Sequence, residues 1–165
     1  MTTEATGRVI PTLKGVDLVL VRSLALPIDE AWEYLTVSER TEEWFGAWDG
    51  DGRAGGSVRI RMAFEHDGPP VRASVIACEA PHRLELHTTT NDGGWELERR
   101  LGEGGDDDSL LRFVHHLDSD DNVGEIGPGW EYYLDLLVAA TEGTEQPNFD
   151  QYYPALSEAY ESQRA

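Results

Sequence analysis

The sequence predicts an α+β fold: a curved six-stranded antiparallel sheet, two short helices after the first strand, and a long C-terminal helix packed over a cavity. Three observations carry this expectation. Apolar residues recur at every second position in short stretches between Val16 and Leu117, as strands with one buried face require. The text after the first strand, and again at "GPGWEYYLDLLVAATEG" (127–143), changes to helical spacing. Finally, a run of strands precedes one long helix, an order that favours an antiparallel sheet with helix on one face.

Residues 1–7, "MTTEATG", are small and polar and are expected to form a disordered tail. From Val16, "VDLVLVRSLAL" is rich in β-branched and aliphatic residues and reads as a strand that stops at Pro27. "PIDEAWEYL" opens with Pro in a first-turn position and sets Ile28, Ala31, Trp32 and Leu35 on one helical face; Ser38 in "VSERTEEWF" is placed to cap a second short helix. "WDGDGRAGG" reads as a loop that visits positive φ. In "SVRIRMAF", Val58, Ile60, Met62 and Phe64 alternate with Arg59, Arg61 and Ala63. "HDGPP" turns the chain into "VRASVIACE", "HRLELHT", "GWELERRL" and "SLLRFVHHL", four strands joined by "APH", "NDGG" and "GEGGDDD" turns. The acidic "DSDDNVGEIGPG" leads into the long helix, which ends at Gly143. Beyond it lies a polar link, then a short helical pattern from Pro154 with Leu156, Ala159 and Tyr160 on one side. The expected organisation is a tail at 1–7, a single domain at 8–143 and a C-terminal extension with a short helix at 144–165.

Composition narrows the partners. With 32 Asp and Glu against 13 Lys and Arg, the chain carries a formal charge of −19, which repels phosphate backbones and anionic lipid, so neither nucleic acid nor membrane is an expected partner. The sequence holds no apolar run of about 18 residues and no basic-then-apolar leader, so neither a membrane span nor a signal peptide is expected. Cys78 is the single cysteine, which excludes an internal disulfide and fits a cytoplasmic protein.

Candidate chemistry is sparse. On a helical wheel Glu131, Asp135, Val138 and Glu142 define a solvent face, with Gly129, Tyr133, Leu136, Leu137 and Ala140 opposite and Trp130 and Tyr132 on the flanks. Tyr133 is therefore the ring aimed most directly at the sheet. In "VHHLD", alternation puts His115 on the apolar face with Leu111, Phe113 and Leu117, and His116 on the other face, so the two histidines do not form a paired site. Glu96 and Glu98 fall on an outward face opposite Trp95, Leu97 and Arg99. His66, His82 and His87 form no cluster, and no HExxH or CxxC spacing exists, so no metal is expected. "DSDDNVGE" imitates the start of a calcium loop but has Val123 where Gly is needed and Gly129 where Glu is needed. "GDGRAGGS" lacks the Lys-Ser/Thr of a phosphate loop and precedes a strand.

Five segments in order, "RSLALPIDEAWEYLTVSERTEEWF" (22–45), "GRAGGSVRI" (52–60), "ASVIACEAPHRLEL" (73–86), "LLRFVHHL" (110–117) and "GPGWEYYLDLL" (127–137), resemble the START-like, or SRPBCC, superfamily. The branch that the chain is most similar to is the C-terminal domain of the activator of Hsp90 ATPase (AHSA1-like). Departures are Ala73 in place of the usual Gly, Thr88 where an aromatic is frequent, and a tail beyond Gly143 longer than the family minimum. The resemblance implies a helix-grip (START/Bet v1-like) fold and a hydrophobic or aromatic ligand. On this basis the chain is expected to be a cytosolic protein binding a small hydrophobic or aromatic molecule between the sheet and the C-terminal helix. The expected lining is Trp32, Val58, Ile60, Met62, Phe64, Phe113, His115, Tyr133 and Leu137, with His115 and Tyr133 as polar anchors. Relatives of this fold include cyclases and dehydratases of polyketide-like substrates, so the alternative is an enzyme with His115 as acid-base and Tyr133 as hydrogen-bond donor. A chaperone-cofactor interaction module is a further alternative. Binding is favoured over catalysis because no second titratable group stands clearly beside these two. No cofactor is expected, and the chain is expected to be a monomer or homodimer.

Overall fold

Period-two alternation runs through a single eight-stranded sheet. The computed structural model describes residues 5–62, 71–90, 93–104, 107–118 and 122–164. In chain order they form β1 (Arg8–Pro11), β2 (Gly15–Leu24), α1 (Ile28–Thr36), α2 (Ser38–Thr41), β3 (Gly46–Gly50), β4 (Ser57–Met62), β5 (Val71–Glu79), β6 (Arg83–Thr90), β7 (Gly93–Glu103), β8 (Ser109–Asp118) and α3 (Val123–Glu142). A 3₁₀ turn at Phe149–Gln151 and the short helix α4 (Ser157–Glu161) follow. Every pairing is antiparallel, in the order β1-β2-β8-β7-β6-β5-β4-β3. Chain neighbours β2 and β3 thus lie toward opposite edges, and α1–α2 must cross the concave face to join them. A register shift at Val75/Ala77 marks a bulge in β5, a device that bends a strand.

Among the described residues the strands number eight, not six. Both additional strands are edges. β1 is only four residues long and ends in a proline, which an edge tolerates. Residues 48–50 of β3, "GAWDG", are expected in the glycine-rich loop, yet Trp48 pairs with Ile60 in register. Glycine at position 46 serves close approach, since a Cβ there would lie 2.4 Å from the Arg61 carbonyl oxygen. Positive φ does occur at Gly50 (120°), the last residue of β3, and at Gly55 (89°) in the loop that follows. Ser38 does not cap α2, whose N-cap is Val37; its Oγ instead accepts a hydrogen bond from the Trp48 backbone N–H at 2.9 Å, tying the helix to β3. The expected turn at "HDGPP", Phe64 and His66, the Asn91–Asp92 part of the next turn and residues 119–121 of the acidic connection lie outside the described residues.

Helix α3 begins at Val123, before the expected start, and contains Pro128; it ends on Gly143 in the left-handed region (φ 67°). Its second flank is covered too, and here the expected solvent face is corrected. Glu131 is 1% exposed. Arg22 of β2 donates Nη2 to Glu131 Oε1 at 2.6 Å and Nε to Asp135 Oδ1 at 2.9 Å. The Tyr160 hydroxyl and the Thr6 backbone N–H donate to Glu131 Oε2, the Thr6 hydroxyl donates to Oε1, and the Tyr152 hydroxyl donates to Asp135 at 2.7 Å. Thr6 and Gly7, expected in a disordered tail, are therefore fastened to the helix. A wheel treats a helix as covered on one side only. It cannot register donors that arrive from both chain ends and make carboxylate burial tolerable.

The C-terminal segment buries Tyr152, Leu156 and Tyr160 against α3. Contact is closest at Gly127, where a Cβ would meet the Tyr160 ring at 2.6 Å, whereas a Cβ at Gly129 would meet nothing within 4 Å. Two alanine substitutions two residues apart on the same helix should therefore have different effects. Gly127→Ala is expected to lower unfolding free energy by about 1–3 kcal/mol through overpacking, and Gly129→Ala to leave it unchanged or raise it by up to about 1 kcal/mol through helix propensity. Urea titration of both variants checks this; equal effects would contradict the packing.

Candidate functional site

Two separate coverings meet on the concave face. Over β2 and β8 the cover is α3, and its centre is Trp130, 3% exposed. The Trp130 ring lies 4.5 Å from Phe113, 5.8 Å from Trp95, 5.7 Å from Tyr133 and 6.0 Å from Phe45, centroid to centroid. Its indole N–H donates to His115 Nδ1 at 3.0 Å. Trp130, expected on a flank of the helix, is instead the hub of the aromatic cluster, while Tyr133 is half-buried beside it.

Over the β3–β6 side the cover is α1–α2 and the residues that follow them. There the side chains do not close. A cavity of about 60 Å³ remains, with Leu35, Thr41 and Phe45 on the helical side and Val58, Ile60, Val75, Leu84 and Leu86 on the sheet side. Thr36, Trp48 and Gly52, all half-buried, form its rim. The Thr41 hydroxyl is already committed, donating to the Gly46 carbonyl at 2.7 Å.

Arg99 also lines this cavity, from the middle of the sheet. Register seats it directly between Leu84 of β6 and Phe113 of β8, with Leu20 of β2 next in the same row. Its side chain is among the largest fully buried in the chain. Aromatic rings surround the guanidinium: Phe45 at 4.7 Å, Trp44 at 5.4 Å and Phe113 at 5.9 Å from Cζ. Cation–π attraction of this kind is worth about 0.5–2 kcal/mol, well short of the cost of burying a charge without a partner. Arg99 Nε and Nη2 are shut off from solvent and meet no acceptor among the described residues. Burial alone pulls the guanidinium down to about 10, so it stays a cation at neutral pH.

The expected site residues divide between the two coverings. Val58 and Ile60 line the cavity. Phe113, His115 and Leu137 are buried in packed core, and Trp32 and Tyr133 are half-buried against it, all five outside the cavity lining. Met62 occupies β4, paired with Gly46; its side chain, like Phe64, lies outside the described residues. The sequence reading missed Arg99, Phe45, Trp48, Val75, Leu84 and Leu86. A signal for Arg99 was present: it is the charge between Leu97 and Leu101 on an apolar face. Glu98, expected to be exposed, is 7% exposed because Arg83 Nε at 2.7 Å and Arg100 Nη2 at 3.0 Å pair with it. Among the described residues, no three His, Cys, Asp or Glu side chains converge as a metal site, and no helix is long and apolar enough to cross a membrane.

The family model for "Activator of Hsp90 ATPase homolog 1-like protein" matches residues 25–142. Among solved structures, CalU16 from Micromonospora echinospora is 28% identical, with 96% of this chain and 94% of that chain covered and a TM-score of 0.77. The Aha1 dimer from Colwellia psychrerythraea is similar in fold at 17% identity, covering 77% of this chain and 96% of that one, with a TM-score of 0.65. DynU16, of the dynemicin biosynthetic locus, gives 21% identity and a TM-score of 0.69 over 84% of this chain and 50% of its own. No curated protein matches the chain.

His115 makes the aromatic hub sensitive to acid. Burial, assisted by His116 next to it, pulls the imidazole down to about 4 from an ordinary value near 6.5. In the unfolded chain the ring takes a proton near pH 6.5, whereas in the folded chain it stays neutral until about pH 4; between these values the unfolded state holds the extra proton and stability falls as pH falls. The contribution is complete above about pH 6.5, and roughly 3 kcal/mol of it is lost by pH 4. His115→Gln keeps an acceptor for Trp130 and removes the titration. Denaturant titrations from pH 7 to 4 should show wild type losing about 3 kcal/mol relative to this variant; parallel curves would contradict the assignment.

Proposed function

The chain belongs to the activator of Hsp90 ATPase homolog 1-like family, and from that premise we propose that it is a cytoplasmic protein that binds a small hydrophobic or aromatic molecule. The ligand sits on the concave face of the sheet, beneath α1–α2 and beside the α3 hub. One observation carries this reading: where α3 covers the sheet the side chains interlock, but under α1–α2 they leave an apolar cavity behind a half-buried rim. At about 60 Å³ it is smaller than the 300–1,000 Å³ of typical small-molecule pockets, so a ligand enters as the Thr36, Trp48 and Gly52 rim gives outward. Trp48 is the movable part. It belongs to an edge strand, and its ring rests over Gly52, where a Cβ would lie 3.0 Å from it.

Binding fits better than catalysis by His115 and Tyr133. His115 Nδ1 is occupied by the Trp130 N–H, and burial leaves the imidazole a weak base. Both residues pack against the Trp130 ring, outside the cavity lining. The protein is a monomer or homodimer in this reading, the latter in keeping with the dimer described for the Colwellia relative.

Thermal denaturation against a panel of naphthalene- and indole-sized compounds tests the proposal. A ligand at about 100 times its Kd should add about 2.7 kcal/mol of stability. Thr36→Trp, which places a ring in the mouth, should keep the unliganded Tm and abolish the shift. No stabilisation by any compound, or an unaltered shift in Thr36→Trp, would contradict binding in this cavity.

A further inference from the structure

We infer that the ligand of this cavity carries an oxyanion, a carboxylate or an ionised phenol or enol, and that Arg99 is the group that recognises it. This inference rests on the binding reading above and adds the chemical class of ligand. The buried cations are unequally paired. Arg22 is buried with two carboxylates at 2.6 and 2.9 Å. Arg99 is buried more completely, and among the described residues no Asp or Glu pairs with it. Guanidinium groups without partners are rare in protein interiors, because the desolvation that their charge suffers is not repaid by rings alone.

The position of the unsatisfied atoms is specific. Nε and Nη2 share one edge of the guanidinium, the edge that holds a carboxylate through two parallel N–H···O bonds. The surroundings combine the rings of Phe45, Trp44 and Phe113 at the guanidinium with the aliphatic side chains of Ile60, Val75 and Leu86 in the cavity, so an aromatic acid would satisfy both parts of the site at once. Its ring would take the apolar space bounded by Ile60, Val75 and Leu86, and its oxyanion the Arg99 edge as the Phe45 wall shifts. The chain's net charge of −19 opposes approach of any anion, but that field is screened beyond about 8 Å at physiological salt, whereas Arg99 acts at contact. Lysine would not serve equally, since its ammonium lacks the planar fork.

Calorimetry with matched probes tests this inference separately from binding as such. Benzoate and 1-naphthoate are each compared with the corresponding primary amide, which is nearly the same shape and uncharged. Wild type should prefer the acid by at least about tenfold, as expected for a charge-assisted bidentate contact. Arg99→Met should lose that preference while holding the amide within about twofold, and its unliganded Tm should rise, because an unpaired buried charge has been replaced by an apolar side chain of similar length. Arg99→Gln provides the same ligand comparison should Met pack poorly. If acid and amide bind wild type alike, the cavity is a neutral hydrophobic site and the oxyanion inference falls while the binding reading stands. If neither binds, both fall. A fall in Tm for Arg99→Met with acid preference retained would make Arg99 a structural staple and also overturn the inference.

Discussion

One constraint shapes the molecule: the sheet is wider than a helix. Eight antiparallel strands set seven inter-strand spacings of about 4.8 Å, roughly 34 Å across, while a helix with its side chains is about 10–12 Å wide. Helix α3 therefore cannot cover the concave face, even with a tryptophan at its centre. The remaining width falls to the β2–β3 crossover, where α1 and α2 are short and the aromatic pair Trp44–Phe45 acts as filler. The cavity lies under this second cover, with Phe45 bridging to the ring cluster of the first.

Each cover is fixed to the sheet by a different kind of interaction. Helix α3 is held by the Arg22–Glu131–Asp135 network. Burial pushes the Glu131 carboxyl up, but hydrogen bonds from Thr6, Tyr160 and Arg22 outweigh it and hold the group below the usual carboxylate range. Both chain ends contribute to that network, so α3 cannot move without disturbing residues at positions 6 and 160. The α1–α2 cover has no such charged fastening among the described residues. Its ties to the sheet are hydrogen bonds between neutral groups, Ser38 to Trp48 of β3 and Thr41 to Gly46, and the contacts of the Arg99 guanidinium with the Trp44 and Phe45 rings, while the Trp44 indole N–H holds the cover together by donating to the Tyr34 carbonyl at 2.7 Å. A cover held this way can yield to a ligand at less cost, and it is the one that roofs the cavity.

Much of this was legible in the sequence, because period-two alternation depends only on neighbouring residues. Alternation in "SLLRFVHHL" separated buried His115 from half-buried His116, and the glycines of "WDGDGRAGG" announced positive φ. Glu131 failed for the opposite reason: its partners lie 109, 125 and 29 residues away, and no local pattern encodes them. Strand β3 was hidden because its last three residues, 48–50, open the glycine- and aspartate-rich "WDGDGRAGG", whose composition reads as loop. The cavity residues were partly missed because direction on one helix says which rings face the sheet, not which part of a wide sheet that helix covers. Arg99 stood in plain view between two leucines, but its meaning depended on learning that no acid among the described residues comes to meet it.

The central claim is that the sheet's concave face has one half packed solid and one half open to a guest. Methyl-labelled NMR addresses it most directly. On titration with 1-naphthoate, the account predicts shifts at Val58, Ile60, Val75, Leu84 and Leu86, while Leu134, Leu136 and Leu137 of α3 stay in place. Shifts centred on the α3 leucines, or none at saturating probe, would contradict it.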